Sequence, residues 1–260
     1  MFKKLKNKII FLSDKVRKYF ALASMLFLLL IFVSFAERSN KEKLCTEIVV
    51  NFQSSGLNQF LTEREVKNII NDFNNESIIG YPVNQMNLND MERILNNNSY
   101  VESSQIYFDM NGVLYVIIKH RIPVLRVFSK DGGFYIDDKG NKMQLSNSYT
   151  SKVLVLTGNI DHEKLIDIKN DSSLFHFAKY IKDDVLINSL IGQIHITKNN
   201  ELILIPRVGN LNIYFGNLQN AENKIERIKI LYKKILPNEG WDKYSKASVK
   251  FDKQIILNKK

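Results

Sequence analysis

The chain has 260 residues, a formal net charge of +10 and a single cysteine. One cysteine cannot form an internal disulfide, so the fold has to rest on a packed apolar core. The first 18 residues contain seven basic side chains and one acidic one, and so account for six of the ten positive charges. The rest of the chain is only mildly basic, which argues against nucleic acid as a partner.

An uncharged apolar segment of 18 residues, Tyr19 to Ala36, follows this basic tail. As a helix it is about 27 Å long, close to the bilayer's hydrocarbon thickness of about 30 Å. We therefore predict a cytoplasmic tail over residues 1–18 and a single transmembrane helix over 19–36 in the inner membrane, with the remainder exported. A cleaved signal peptide is the alternative, but its apolar core is usually shorter, and the residues after Ala36 fit a cleavage site poorly.

The next part of the chain predicts a small domain over residues 46–121, after a linker over 37–45. Residues Thr46 to Phe52 alternate in polarity, as in a half-buried strand. Cap residues and one apolar face indicate two helices, which begin near Thr62 and Asn87. Two further alternating segments flank an Asn-Gly dipeptide, which favours the tight turn of a β-hairpin. The predicted order is strand, helix, helix, strand, strand.

Residues 122–260 predict a second domain, a mostly antiparallel sheet covered by helices, so the predicted fold class is α+β. Apolar stripes indicate covering helices at Ser172–Lys182 and Ala221–Leu236, the second ended by Pro237 and Gly240. The last predicted strand has no later element to cover it and is therefore expected at an edge of the sheet. The predicted strands of this domain are Ile191–Thr197, Glu201–Pro206, Leu211–Phe215 and Ser248–Leu257.

Several stretches of this second domain carry a family resemblance. They are His120–Arg126, Gly133–Gly140, Met143–Ser146, Val153–Gly158, Leu202–Asn210 and Ile213–Gly216. In this order they resemble the FtsQ/DivIB family of bacterial cell-division proteins, and the smaller domain before them resembles a POTRA domain. The resemblance implies a non-enzymatic membrane scaffold of the divisome at the division site. Such a scaffold binds FtsB/DivIC-like and FtsL-like membrane proteins during septum formation, with no cofactor and no small-molecule substrate.

The last strand is also the predicted docking site, where a partner adds a strand to the sheet. The candidate partner-binding residues are Trp241, Tyr244, Lys250, Phe251, Gln254, Ile255 and Ile256. The family's usual pattern here, Asp-Leu-Arg and an aromatic, reads Ser248-Val249-Lys250-Phe251 in this chain. Because lysine lacks the planar fork of arginine, a bidentate contact of that arginine does not carry over. Completion of the core is the alternative role for this strand, and for Trp241 and Tyr244.

The other polar residues indicate no catalytic, cofactor or metal site. The histidines lack the i, i+4 spacing typical of metal ligands; they are His120, His162, His176 and His195. The carboxylate pairs Asp137-Asp138 and Asp183-Asp184 lie beside turn or helix-end signals, where Asp accepts hydrogen bonds from the backbone. Two other functions stay open. One is a POTRA-bearing accessory factor for outer-membrane protein biogenesis or polypeptide transport, and the other is an exported hydrolase with a dispersed site.

Overall fold

The computed structural model describes residues 19–20, 22–33, 43–53, 60–74, 77–129, 132–160 and 173–260. Residues 19–20 and 22–33 are helical. Across the described ranges, no helix combines the length and the apolar character that crossing a membrane requires. The predicted span 19–36 includes residues 21 and 34–36, which lie outside these ranges, as do the basic tail and the predicted linker as far as residue 42.

The residues from 43 onward form two compact units. The first contains the described residues up to Asn51, together with Glu63–Leu95 and Ser104–Ile117. The second contains Phe52–Thr62, Asn96–Ser103 and Ile118–Lys260. Both units mix helices and strands, which confirms the α+β fold class.

A three-stranded sheet in the order β1-β3-β2 supports the elements before residue 121. These elements are β1 (Glu47–Phe52), α1 (Glu63–Phe73), a 3-10 turn (Val83–Gln85), α2 (Leu88–Asn96), β2 (Val101–Phe108) and β3 (Val113–His120). The predicted order of strand, helix, helix, strand, strand is confirmed. Asn87 caps α2, because its Oδ1 accepts a hydrogen bond of 3.3 Å from the backbone N–H of Asp90.

The turn between β2 and β3 is fixed by one carboxylate. Asp109 Oδ1 accepts hydrogen bonds of 2.8 Å from the backbone N–H groups of Asn111 and Val113. Gly112 follows with a φ of 84°, a value that favours glycine. A Cβ at this position would also collide with the carbonyl oxygen of Leu44. The hairpin that the Asn-Gly dipeptide predicts is therefore confirmed.

The second unit is built on a nine-stranded sheet in the order β12-β11-β10-β9-β8-β7-β4-β5-β6. Five of its eight pairings are antiparallel, and the three parallel ones join β4 to β7, β7 to β8 and β10 to β11. Its strands are β4 (Pro123–Ser129), β5 (Gly132–Asp137), β6 (Lys142–Met143), β7 (Leu154–Gly158), β8 (Ile191–Ile196), β9 (Leu202–Pro206), β10 (Asn212–Gly216), β11 (Tyr244–Ser248) and β12 (Ile256–Lys259).

Helices supply the apolar partner of this sheet. They are α3 (Ser173–Asp183), α4 (Val185–Leu190), α5 (Ala221–Ile230), a π-helical turn (Leu231–Ile235) and α6 (Leu236–Glu239). One continuous core joins helical and strand side chains, among them Ala178, Ile181, Ile225 and Ile228 from helices and Leu156, Ile194, Leu204 and Ile213 from strands. Because alternate strand residues enter this core, burial of apolar surface holds the helices on the sheet.

The structure corrects two predicted boundaries. The single last strand Ser248–Leu257 is wrong: β11 ends at Ser248, and β12 begins at Ile256 and runs back antiparallel to β11. A turn separates them, with Lys253 at a positive φ of 57°. Pro237 does not end the long helix, which continues to Glu239 and stops directly before Gly240, the second predicted end signal. A π-helical turn, Leu231–Ile235, precedes α6, and Pro237 lies in the first turn of α6, where a missing N–H is tolerated.

Candidate docking surface

Strand β12 forms one end of the nine-stranded sheet. It pairs with β11 on one side, with Ala247 opposite Leu257 and Ser248 opposite Ile256. On its other side, no strand of the described chain borders it. A strand in this position presents a row of backbone N–H and C=O groups that can accept a further strand. The edge that the sequence predicts is thus present, but it is the shorter strand β12 that provides it.

Exposed apolar side chains lie beside this edge. Phe251, in the turn before β12, is 53% exposed, and Ile256, the first residue of β12, is 41% exposed. Trp241 is 45% exposed, and its ring centroid lies 5.8 Å from that of Tyr232. Gln254 is also exposed. Aromatic side chains of this kind offer large contact area to a partner at low entropic cost.

Two of the candidate partner-binding residues belong to the core instead. Tyr244 is buried, and its hydroxyl donates a hydrogen bond of 3.3 Å to Glu239 Oε2. Ile255 packs against the main apolar core. Both side chains therefore leave little surface for a partner, although their backbone lies next to the edge.

Lys250 is held by ion pairing and packing. Its Nζ contacts a carboxylate oxygen of Glu201, and its aliphatic stem lies over Gly216. A Cβ on Gly216 would lie 3.0 Å from Lys250 Cγ, and the φ of Gly216 is 77°. Glycine at position 216 therefore allows the lysine stem to lie flat, with its cation at Glu201.

Sequence reasoning missed two further cations on α5, of which Arg227 contacts this turn. Arg227 donates a hydrogen bond of 3.0 Å to the carbonyl oxygen of Val249, and its Nη1 lies 3.5 Å from Asp252 Oδ1. Lys224 is only 4% exposed and donates a hydrogen bond of 2.8 Å to the carbonyl oxygen of Asn217. The sequence spacing could have predicted the burial of Lys224, because this residue lies four positions before the buried Ile228 and so falls on the apolar face of α5.

Lys224, Arg227 and Lys250, which we call the basic cluster, influence one another electrostatically. Burial lowers the pKa of Lys224 below its ordinary value, and the positive charges of Arg227 and Lys250 lower it further. Their charges are taken up locally, because Lys224 donates to Asn217, Lys250 pairs with Glu201 and Arg227 pairs with Asp252. The cluster therefore ties α5 and the start of β9 to the turn before the edge, and the exposed apolar side chains there can meet an added strand.

The carboxylate pairs have structural roles. Asp137 is 1% exposed, accepts hydrogen bonds from the backbone N–H groups of Lys139 and Asn141, and pairs with Arg121 at 2.8 Å. Burial alone would raise the pKa of Asp137, but hydrogen bonds from Arg121 and Asn141 outweigh it and hold this pKa below the ordinary value. The predicted turn bonds are confirmed, and the ion pair with Arg121 is an addition.

Asp184, from the second carboxylate pair, caps helix α4. Its side chain accepts a hydrogen bond of 3.0 Å from the backbone N–H of Ile187. It also pairs with Lys229 at 2.6 Å. The pKa of Asp184 lies below its ordinary value, chiefly because of the bond from Ile187 and then that from Lys229. This carboxylate is therefore committed to local structure.

The three histidines that the structure describes lie in different elements and form no common site. His120 is buried and stacks on Phe52 with 4.7 Å between ring centroids, whereas His195 Nδ1 lies 3.1 Å from Thr157 Oγ1. His176 is exposed on α3, and His162 lies outside the described residues. In the described part of the chain, no group of three or more His, Cys, Asp or Glu side chains could hold a metal ion.

Comparison with known families assigns both parts of the chain. A family model described as "FtsQ/DivIB, C-terminal related" matches residues 122–257, and a model described as "POTRA-like domain" matches residues 43–119. A search of curated proteins finds no match. The first family match covers more than half of the chain and contains the basic cluster, Trp241, Phe251 and the first two residues of the edge strand β12.

The buried pair of Asp137 and Arg121 predicts a pH-dependent stability. Asp137→Asn should lower the free energy of unfolding at neutral pH by about 2 kcal/mol, because Arg121 loses its charged partner. Since the pKa of Asp137 is lowered in the folded state, its contribution is fully present above the ordinary value near 4 and is lost as the pH falls through the folded value. Denaturant unfolding at several pH values measures this difference.

Asp138→Asn is the matched control, because it makes the same chemical change one residue away. Its side chain forms no ion pair among the described residues, so its effect should stay within about 0.5 kcal/mol. Equal losses in the two variants, or an Asp137→Asn loss that persists unchanged below the folded pKa, would contradict a stabilising role of the ion pair.

Proposed function

The chain belongs to the FtsQ/DivIB, C-terminal related family, and we propose that it is a membrane-anchored scaffold that docks other division proteins through the edge strand β12. The domains of the FtsQ/DivIB and POTRA-like families are non-enzymatic scaffold domains, and the first of them indicates a role in cell division. The single observation that carries the docking proposal is the open edge of β12 with Phe251 and Ile256 exposed beside it.

The proposed partners are the FtsB/DivIC-like and FtsL-like membrane proteins of the same cell. The proposed mode of binding is strand addition, in which the partner's backbone hydrogen-bonds to the edge strand and its side chains select the site. Trp241, Phe251 and Ile256 supply apolar contacts at the edge. This work needs binding free energy and no catalytic residue.

Confinement to the membrane is the second part of the proposal. The apolar segment 19–36 anchors the chain, the basic tail stays in the cytoplasm, and the two units lie outside it. The side chains of the described helical residues 22–33 support this, because they are apolar or small and all are exposed. An anchor confines scaffold and partners to one surface and so raises their effective concentration.

Removal of the exposed anchors tests the docking site. Phe251→Ala and Ile256→Ala should each weaken binding of the purified FtsB/DivIC-like partner by about 2 kcal/mol, or roughly 30-fold in Kd, if each side chain is a hot spot. Both residues are exposed, so the melting temperature should stay unchanged. Val185→Ala is the control, since Val185 is an exposed apolar residue of α4. If both edge variants bind the partner with unchanged affinity, as Val185→Ala is expected to, this site is ruled out.

Protease protection tests the proposed topology. Protease added outside spheroplasts should digest the chain beyond about residue 37 and spare the tail, because the basic residues hold the N-terminus in the cytoplasm. Replacement of Lys3, Lys4, Lys6 and Lys8 by Gln should weaken this orientation. A mature N-terminus near Glu37 would show instead that the apolar segment is a cleaved signal.

A further inference from the structure

Three backbone segments of the first unit meet where the chain enters it. The backbone N–H of Cys45 donates a hydrogen bond of 2.9 Å to Tyr81 O, and Gly80 N–H donates one of 2.8 Å to Cys45 O. Thr46 N–H donates one of 2.9 Å to Gly112 O, in the turn between β2 and β3. The residues at this entry, Cys45 and Thr46, are therefore hydrogen-bonded both to the loop at Gly80 and Tyr81 and to the hairpin tip at Gly112.

Each of these three segments carries a large apolar side chain that the protein leaves exposed. Met110, at the hairpin tip, is 86% exposed, and Leu44 and Ile79 are about half exposed. Tyr107 is also exposed, and its ring stacks on Tyr115 with 5.3 Å between centroids. We call Leu44, Ile79, Tyr107 and Met110 the entry patch. Exposed apolar side chains in one neighbourhood indicate an interaction that the isolated unit does not satisfy.

The tether length limits what the entry patch can meet. Leu44 lies only eight positions after Ala36, where the predicted membrane helix ends. A fully extended chain covers at most about 3.5 Å per residue, so Leu44 lies no more than about 28 Å from the end of that helix. A site that is held this close to a bilayer meets the lipid surface continuously, at an effective concentration set by the tether.

We propose that the entry patch contacts the headgroup region of the bilayer into which the chain is anchored. This inference rests on the anchor in the proposed function and adds a membrane-facing side to the first unit. Tyrosine is enriched at membrane interfaces, where its ring and hydroxyl suit the mixed environment, and methionine adapts to irregular surfaces. The charged residues nearest to the patch in sequence, Lys43, Glu47 and Asp109, sum to one negative charge, so attraction to anionic headgroups does not drive the contact and apolar burial has to.

Site-specific fluorescence quenching in vesicles tests the proposal. The full chain is reconstituted in vesicles of phosphatidylethanolamine and phosphatidylglycerol that contain a lipid with a quencher near the headgroup. Cys45 is replaced by Ala, and an environment-sensitive fluorophore is attached at Met110→Cys. The control carries the fluorophore at Asn68→Cys, an exposed position on α1 of the same unit. We expect at least threefold stronger quenching at position 110.

Two further arms separate the possible outcomes. Leu44→Gln with Ile79→Gln should reduce the quenching at position 110 at least twofold, while circular dichroism shows the fold unchanged. Equal quenching at both positions, or none at position 110 in chains that resist alkaline extraction, overturns the proposal and leaves the anchor intact. Chains that fail to insert overturn both the anchor and this inference. A response at position 110 only after a purified division protein is added overturns the lipid contact in favour of a protein one.

Discussion

The fold of the second unit depends on one constraint: an open β-sheet has edge strands, and the outer backbone groups of an edge strand have no partner strand. Nine strands pair side by side, and their alternate side chains form one core with the helices. This pairing satisfies the backbone groups of every internal strand but leaves those on the outer side of β12 without a neighbouring strand in the described chain. Proteins usually cover, charge or bind such an edge. In the proposed docking function, a partner strand binds these outer backbone groups of β12.

The contacts around β12 hold that edge in place. Arg227 on α5 bonds to the carbonyl oxygen of Val249, and Lys250 pairs with Glu201 just before β9. The turn between β11 and β12 is thus tied to a helix on one side and to a strand on the other. An edge that is ordered before binding loses less conformational freedom when a partner adds its strand, which favours affinity.

Local patterns predicted the local structure. The Asn-Gly dipeptide predicted the hairpin around Gly112, and the apolar stripe of α5 predicted a covering helix, because each depends on neighbouring residues alone. The parallel pairings of β4 with β7 and of β7 with β8 join strands that are distant in the chain, so alternation within each strand gives no information about them. The turn at Lys253 was missed because the apolar residues on both sides of it suggest one continuous strand.

The charged contacts were the least predictable part of the candidate site. Arg121 and Asp137 are 16 residues apart and meet only because β4 and β5 pair between them. Asp137 gave a turn signal that was correct, but turn chemistry alone does not require its nearly complete burial. Lys224 lies on an apolar helix face, where a lysine is expected to extend its charge to water; here Asn217 accepts its hydrogen bonds instead.

Hydrogen exchange of the backbone amides tests the central claim most directly, because strand addition is a change in backbone hydrogen bonding. With the purified FtsB/DivIC-like partner bound, the amides of Ile256–Lys259 should exchange more slowly than in the free protein. The amides of β2 should exchange at the same rate in both states. Slower exchange at other strands, with that of Ile256–Lys259 unchanged in a saturated complex, would contradict docking at this edge.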